Sequence, residues 1–158
     1  MTLQARADGL HVAAVSRDPE PARVPAAAAR SRVADLWHYD VVELFLAFRS
    51  GRYLEVELGA GGHFLVLSFR APRERCDDHA DLRPALEHGR SVSGWRAALL
   101  LDWSLVPAEL TALNAFACAR GRYLAYQPVP GDAPDFHQPS AFPPAALERP
   151  QATAGRAE

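Results

Sequence analysis

Three short apolar runs in succession, joined by two glycine-bearing turns, leave few folds open to this chain. The runs are 41–48 (Val41-Val42-Glu43-Leu44-Phe45-Leu46-Ala47-Phe48), 53–58 (Tyr53-Leu54-Glu55-Val56-Glu57-Leu58) and 63–69 (His63-Phe64-Leu65-Val66-Leu67-Ser68-Phe69). Arg49-Ser50-Gly51-Arg52 and Gly59-Ala60-Gly61-Gly62 join them. Glycine supplies the positive φ that tight strand connections require, so the block reads as an antiparallel meander. Side chains alternate with period two along a strand. Leu54, Val56 and Leu58 therefore face a core, with Tyr53, Glu55 and Glu57 behind them. The same rule groups Val42, Leu44, Leu46 and Phe48, and leaves Val41, Glu43 and Phe45 beside Glu55 on a second face that is acidic and aromatic.

Further strands are expected at 10–16, over 94–103 (Gly94 to Trp103), and at 113–120 and 123–126 across a tight Gly121-Arg122 link. Pro19 and Pro21 end the first of these. The stretch 21–35 shows no apolar face at helical spacing and reads as a long connection. Residues 71–93, with few large apolar groups, read as a surface connection holding no core, with room for a turn of helix. A short helical turn fits 107–112. Seven or more short strands without a long amphipathic helix point to an all-β, antiparallel sandwich of the jelly-roll or immunoglobulin-like kind, with seven to ten strands. The expected organisation is a flexible N-terminus over 1–9, one sandwich domain over 10–142, and a disordered, alanine- and proline-rich tail over 143–158. The expected core comprises Val42, Leu44, Leu46, Leu54, Val56, Leu58, Leu65, Leu67, Leu99, Leu101 and Phe116.

The 158 residues suit one such core. All 17 basic residues are arginine and the net charge is −2, so no positive excess draws phosphates and nucleic acid is not an expected partner. No run reaches the roughly 20 apolar residues of a membrane span, and the first thirty residues lack a signal-type apolar stretch. The expected location is the cytoplasm, with no membrane partner. Cys76 and Cys118 are too few for a disulfide framework, and Cys76-Asp77-Asp78-His79 has no second ligand pair to complete a zinc site.

Once ordered, these pieces resemble a known group. Leu36-Trp37-His38-Tyr39-Asp40-Val41-Val42-Glu43-Leu44-Phe45-Leu46, then Tyr53-Leu54-Glu55-Val56-Glu57-Leu58 and Gly62-His63, are similar to the DOMON-like superfamily that includes carbohydrate-binding module family nine. Its members share a Trp, an Asp-x-x-Glu-Leu-Phe, a Tyr-Leu-Glu and a glycine turn. Trp103 to Pro107, Leu113 to Phe116 and Pro134 to Phe142 extend the likeness, particularly to small stand-alone members, over roughly residues 36–142. The resemblance implies a sandwich that holds a sugar in one branch and haem in the other.

Sugar binding asks for an aromatic plate against the apolar face of a pyranose and for polar groups that meet its hydroxyls. Trp37 and Glu43 occupy the matching motif positions. Glu55, Asn114 and Arg120 are further polar candidates by strand facing, and a second stacking tryptophan is not identifiable. Each has a plain structural alternative: Trp37 capping the end of the core, and Glu43 paired with Arg70 or Arg120, since a buried unpaired charge is costly. Methionine–histidine haem ligation has only Met1 to draw on, which leaves His63 and His137 as a candidate bis-histidine pair. Asp135-Phe136-His137-Gln138-Pro139-Ser140 carries acid, base and hydroxyl types without a nucleophile elbow. The expected function is non-catalytic binding of a small polar ligand, a sugar foremost, with no cofactor or metal and with His137 as an added contact. The alternatives are a protein-interaction or structural module and a hydrolase using His137 with Asp135 or Glu43.

Overall fold

The structure is a computed structural model and describes residues 1–150. Ten strands make two antiparallel sheets: β1 (Thr2–Arg6), β2 (Gly9–Ser16), β3 (Val41–Phe48), β4 (Tyr53–Gly59), β5 (Phe64–Ala71), β6 (Glu74–Asp77), β7 (Leu86–Ser91), β8 (Gly94–Leu101), β9 (Leu110–Ala119) and β10 (Arg122–Ala125). The smaller sheet runs β1-β2-β8-β7 and the larger β10-β9-β3-β4-β5-β6. Short 3-10 turns occur at Leu36–His38 and Pro139–Ala141. The chain is an all-β sandwich, as its strand pattern requires.

The alternation of the meander decides how the sheets pack. Leu44 and Leu46 of β3 with Leu54, Val56 and Leu58 of β4 meet Leu10 and Val12 of β2 and Leu99 and Leu101 of β8 in the inter-sheet core, where Val42 is partly buried. At about 25 cal/mol per Å² of apolar surface removed from water, burial of this face favours folding. Leu65, Leu67 and Phe116, assigned to the same core from sequence, belong instead to a second cluster with Val41, Phe45, Tyr53 and Phe69. They lie on the outer face of the larger sheet, because Leu65 and Leu67 pair across the ladder with Glu57 and Glu55, and Phe116 pairs with Glu43. Leu36 and Phe142 close this cluster from above.

Four segments differ from their sequence reading. Residues 71–93 contain β6 and β7, which pair with β5 and β8 although their side chains are mostly exposed. These are edge strands, where pairing is satisfied by backbone alone and leaves no apolar signal. Thr2–Arg6, expected to be loose, pairs along β2, and the Trp103 indole donates to the Arg6 carbonyl at 3.0 Å. The helical turn expected at 107–112 is absent, since β9 already begins at Leu110. In the region expected to be a disordered tail, the Ala145 amide donates to the Thr111 carbonyl at 3.0 Å and Leu147 packs on the core. Residues 151–158, the remainder of that expectation, lie outside the described residues.

Candidate functional site

The outer face of the larger sheet carries three carboxylates on two adjacent strands. Glu43 on β3 is the direct cross-strand partner of Glu57 on β4, and Glu55 sits one repeat along from Glu57, opposite Phe45. Strand register makes this grouping unavoidable: Glu43, Phe45, Glu55 and Glu57 all project to the same side. The chain then folds over that side. The turn Leu36–His38 buries Leu36 completely, and Gly59 leaves the room, since a Cβ there would stand 3.1 Å from a Leu36 methyl. Asp35 enters the turn with φ 55°, a left-handed conformation that aspartate tolerates better than most residues. With Leu36 serving as the anchor, Trp37 is left 37% exposed, so the tryptophan does not cap the core.

From the opposite direction comes the segment that precedes the second 3-10 turn. Phe136 stacks on Phe116 with ring centroids 4.0 Å apart and planes 9° apart, and Phe45 meets the His137 ring edge-on at 5.4 Å. The Tyr53 hydroxyl accepts the Arg73 amide at 2.9 Å and lies 2.9 Å from His137 Nδ1. Burial and the Arg73 charge push the His137 pKa down to about 4, so the ring is neutral and Nδ1 accepts the Tyr53 proton. Burial raises the Tyr53 phenol to about 12 and keeps that proton in place. Asp135 pairs with Arg73 at 2.8 Å and accepts the His137 amide at 3.1 Å. Its carboxylate is thus spent on a guanidinium and a backbone group, and His137 Nδ1 bonds Tyr53 rather than Asp135.

Between these two coverings lies a cleft of about 940 Å³ lined by Trp37, Glu43, Glu55 and His137, together with Phe69, Tyr123 and Phe136 and the arginines Arg23, Arg73 and Arg75. Four of the six residues nominated from sequence therefore converge. Asn114 and Arg120 do not. Asn114 is fully buried, donating to the Gln127 carbonyl at 2.8 Å and accepting the Gln127 amide at 3.1 Å, so it clamps the chain after β10 onto β9. Arg120 is in the turn itself: Arg120 and Gly121 both have positive φ, 52° and 76°, which is the two-residue hairpin geometry. A turn residue no longer follows strand facing, and its guanidinium pairs with Asp18. The link is Arg120-Gly121, one residue earlier than expected.

The carboxylates are deeply buried, with Glu43 3%, Glu55 2% and Glu57 0% exposed. Neither Arg70 nor Arg120 pairs with Glu43, because Arg70 binds Glu74 and Arg120 binds Asp18. One oxygen of Glu55 and both oxygens of Glu57 have no hydrogen-bond partner. Desolvation raises Glu43 to about 7; desolvation, then the Glu43 charge, raises Glu55 to about 8, against smaller opposing effects of Arg75 and Arg73. Glu57 is pushed well above the usual carboxylate range by desolvation and by Glu43, Glu55 and Asp35. The floor can therefore present neutral carboxylic acids, each a donor and an acceptor, or anions when a positive group compensates.

Sequence reasoning missed Arg73, Arg75, Asp35 and Tyr123. Arg73 and Arg75 reach the cleft from the turn after β5 and from β6, both within the stretch 71–93 expected to be a connection without strands. His63, the other histidine of the bis-histidine pair, directs Nε2 to the Ala27 carbonyl at 3.0 Å while His137 bonds Tyr53.

No protein-family model matches the chain, and no curated protein sequence does. A similar fold occurs in the crystal structure of a protein from Bacteroides uniformis ATCC 8492 described as "a putative carbohydrate-binding protein", with a TM-score of 0.60 over 84% of this chain and 69% of that one, at 18% identity. The likeness shows that the two share a sandwich architecture.

Proposed function

We propose that this protein is a non-catalytic sugar-binding module of the DOMON-like, carbohydrate-binding-module type, its binding unit spanning residues 10–142. The observation that carries the reading is that Trp37, half-exposed at 37%, and the carboxyl groups of Glu43 and Glu55 line one cleft of about 940 Å³. An indole beside hydroxyl-binding carboxyls is the pairing that a pyranose needs, since its ring presents an apolar face edged by hydroxyls. Phe136 and Tyr123 add aromatic surface, and His137 a neutral nitrogen. The fold shared with the Bacteroides protein supports the same reading.

The test is thermal-shift screening against neutral and charged mono- and disaccharides, repeated with Trp37→Ala. A ligand at about 100 times its Kd stabilises the folded state by about 2.7 kcal/mol, a readily measured shift. The expected result is a shift with a subset of sugars that Trp37→Ala abolishes. A protein that melts at one temperature across the whole panel overturns the proposal.

A further inference from the structure

We infer that the ligand of this cleft carries a cationic amine, as an amino sugar does, and that the amine sits against Glu43 and Glu55; the inference rests on the sugar reading and narrows it. Glu43, Glu55 and Glu57 occupy neighbouring ladder positions on one face, and none forms an ion pair among the described residues. Like charges opposite one another destabilise a sheet, and buried carboxylates without counter-charges destabilise it further. A fold that only had to be stable would place apolar residues here, as it does at the neighbouring positions Phe45, Leu65 and Leu67. Glu55 adds an independent pointer: its side chain is almost wholly buried and lines the open cleft, yet Oε2 has no partner. An acceptor held without a donor, in a space large enough for a ligand, is completed by a donor that the ligand brings.

The protein's own cations do not fill that role. Arg73 is held by Asp135, Arg75 influences Glu55 only as a minor opposing charge, and Arg23 and His38, on the same cleft wall, form no ion pair with Glu43 or Glu55 among the described residues. From the other side the approaching charge is Asp35, which is negative and deepens the imbalance around Glu57. A primary ammonium offers three donors on a compact charge, and charge-assisted bonds to carboxylate are about twice as strong as neutral ones. A neutral sugar would meet acids that hold their protons. An ammonium would lower the pKa values of Glu43 and Glu55, so its binding at a pH below about 7, where both hold their protons and the amine is charged, releases protons.

The experiment is titration calorimetry of the full chain with the matched β-1,4 disaccharides of glucose, glucosamine and N-acetylglucosamine, and with the diamine putrescine, in buffers of different ionisation enthalpy. The amino disaccharide is expected to bind at least about tenfold tighter than both neutral ones, with proton release, and Glu55→Gln is expected to bring that ratio close to one. Equal or tighter binding of either neutral sugar overturns the amine assignment and leaves the sugar reading standing. Putrescine binding as tightly as the amino disaccharide keeps the cation site and overturns the sugar reading. No binding by any of the four overturns both. Circular dichroism of Glu55→Gln establishes that a lost preference is not lost folding.

Discussion

Glu43 and Glu57 face each other directly across β3 and β4, both almost entirely removed from solvent. No cation pairs with either among the described residues, so their proximity is tolerable in the folded protein chiefly because they can hold protons. Folding and protonation are therefore linked at this pair, and with Glu55 the link extends to the floor of the cleft.

Stability should fall as the solution becomes alkaline. A carboxyl whose folded pKa lies above its unfolded value binds protons more tightly when folded, so its contribution is complete below about pH 4.5 and is lost as pH rises through about 7 for Glu43 and about 8 for Glu55. His137 acts oppositely: its depressed pKa costs stability as pH falls from about 6.5 to about 4. The window from pH 6.5 to 8.5 isolates the carboxylates. Thermal melts there should show a falling Tm, reflecting a loss on the order of 3 kcal/mol. A flat profile would mean that the carboxylates have counter-charges in solution.

Replacing Glu57 by leucine should stabilise the protein. Glu57 is fully buried, both its oxygens are unpartnered, and its cross-strand neighbours are Glu43 and Leu65. The gain should be about 1–3 kcal/mol at pH 8 and smaller at pH 5, nearer the ordinary carboxylate pKa, where keeping the buried acid protonated costs less. Chemical denaturation of wild type and Glu57→Leu at the two pH values measures it. An equal effect at both would assign the change to packing alone.

Tyr53→Phe should loosen the covering segment. The hydroxyl accepts the Arg73 amide and donates to His137, and its loss leaves that amide and a half-buried ring nitrogen without these partners. The cost should be about 1–3 kcal/mol, with faster amide hydrogen exchange over residues 134–142 than over β3. Unchanged exchange there would show that the stacking of Phe136 on Phe116 holds the segment by itself.

Trp37→Ala and Asn114→Ala should separate binding from folding. Trp37 is exposed enough that its truncation is expected to shift stability by less than about 1 kcal/mol while weakening ligand binding by at least about tenfold. Asn114 makes both bonds to Gln127 from a fully buried position, and its truncation should cost about 2 kcal/mol with no direct contact to a ligand lost. Melting and titration of both variants check this, and the reverse pattern would move the site away from Trp37.

Much of this arrangement was legible in the chain itself. Period-two alternation between glycine turns settled the sandwich, the core face of β3 and β4, and the acidic and aromatic character of the opposite face, because side-chain direction along a strand is a local property. The edge strands β1, β6 and β7 were not legible, since backbone pairing at an edge needs no apolar residue. Nor could Leu65 and Phe116 be sorted between the two faces before their registers with Glu57 and Glu43 were known. Only tertiary packing brought residues 35–38 and 134–137 over the same face, leaving Trp37 and His137 on a common cleft with Glu43 and Glu55 and turning Arg120 away on a hairpin. Pattern within a strand reports which way a side chain points; what covers it depends on contacts between segments about a hundred residues apart, which no local pattern encodes.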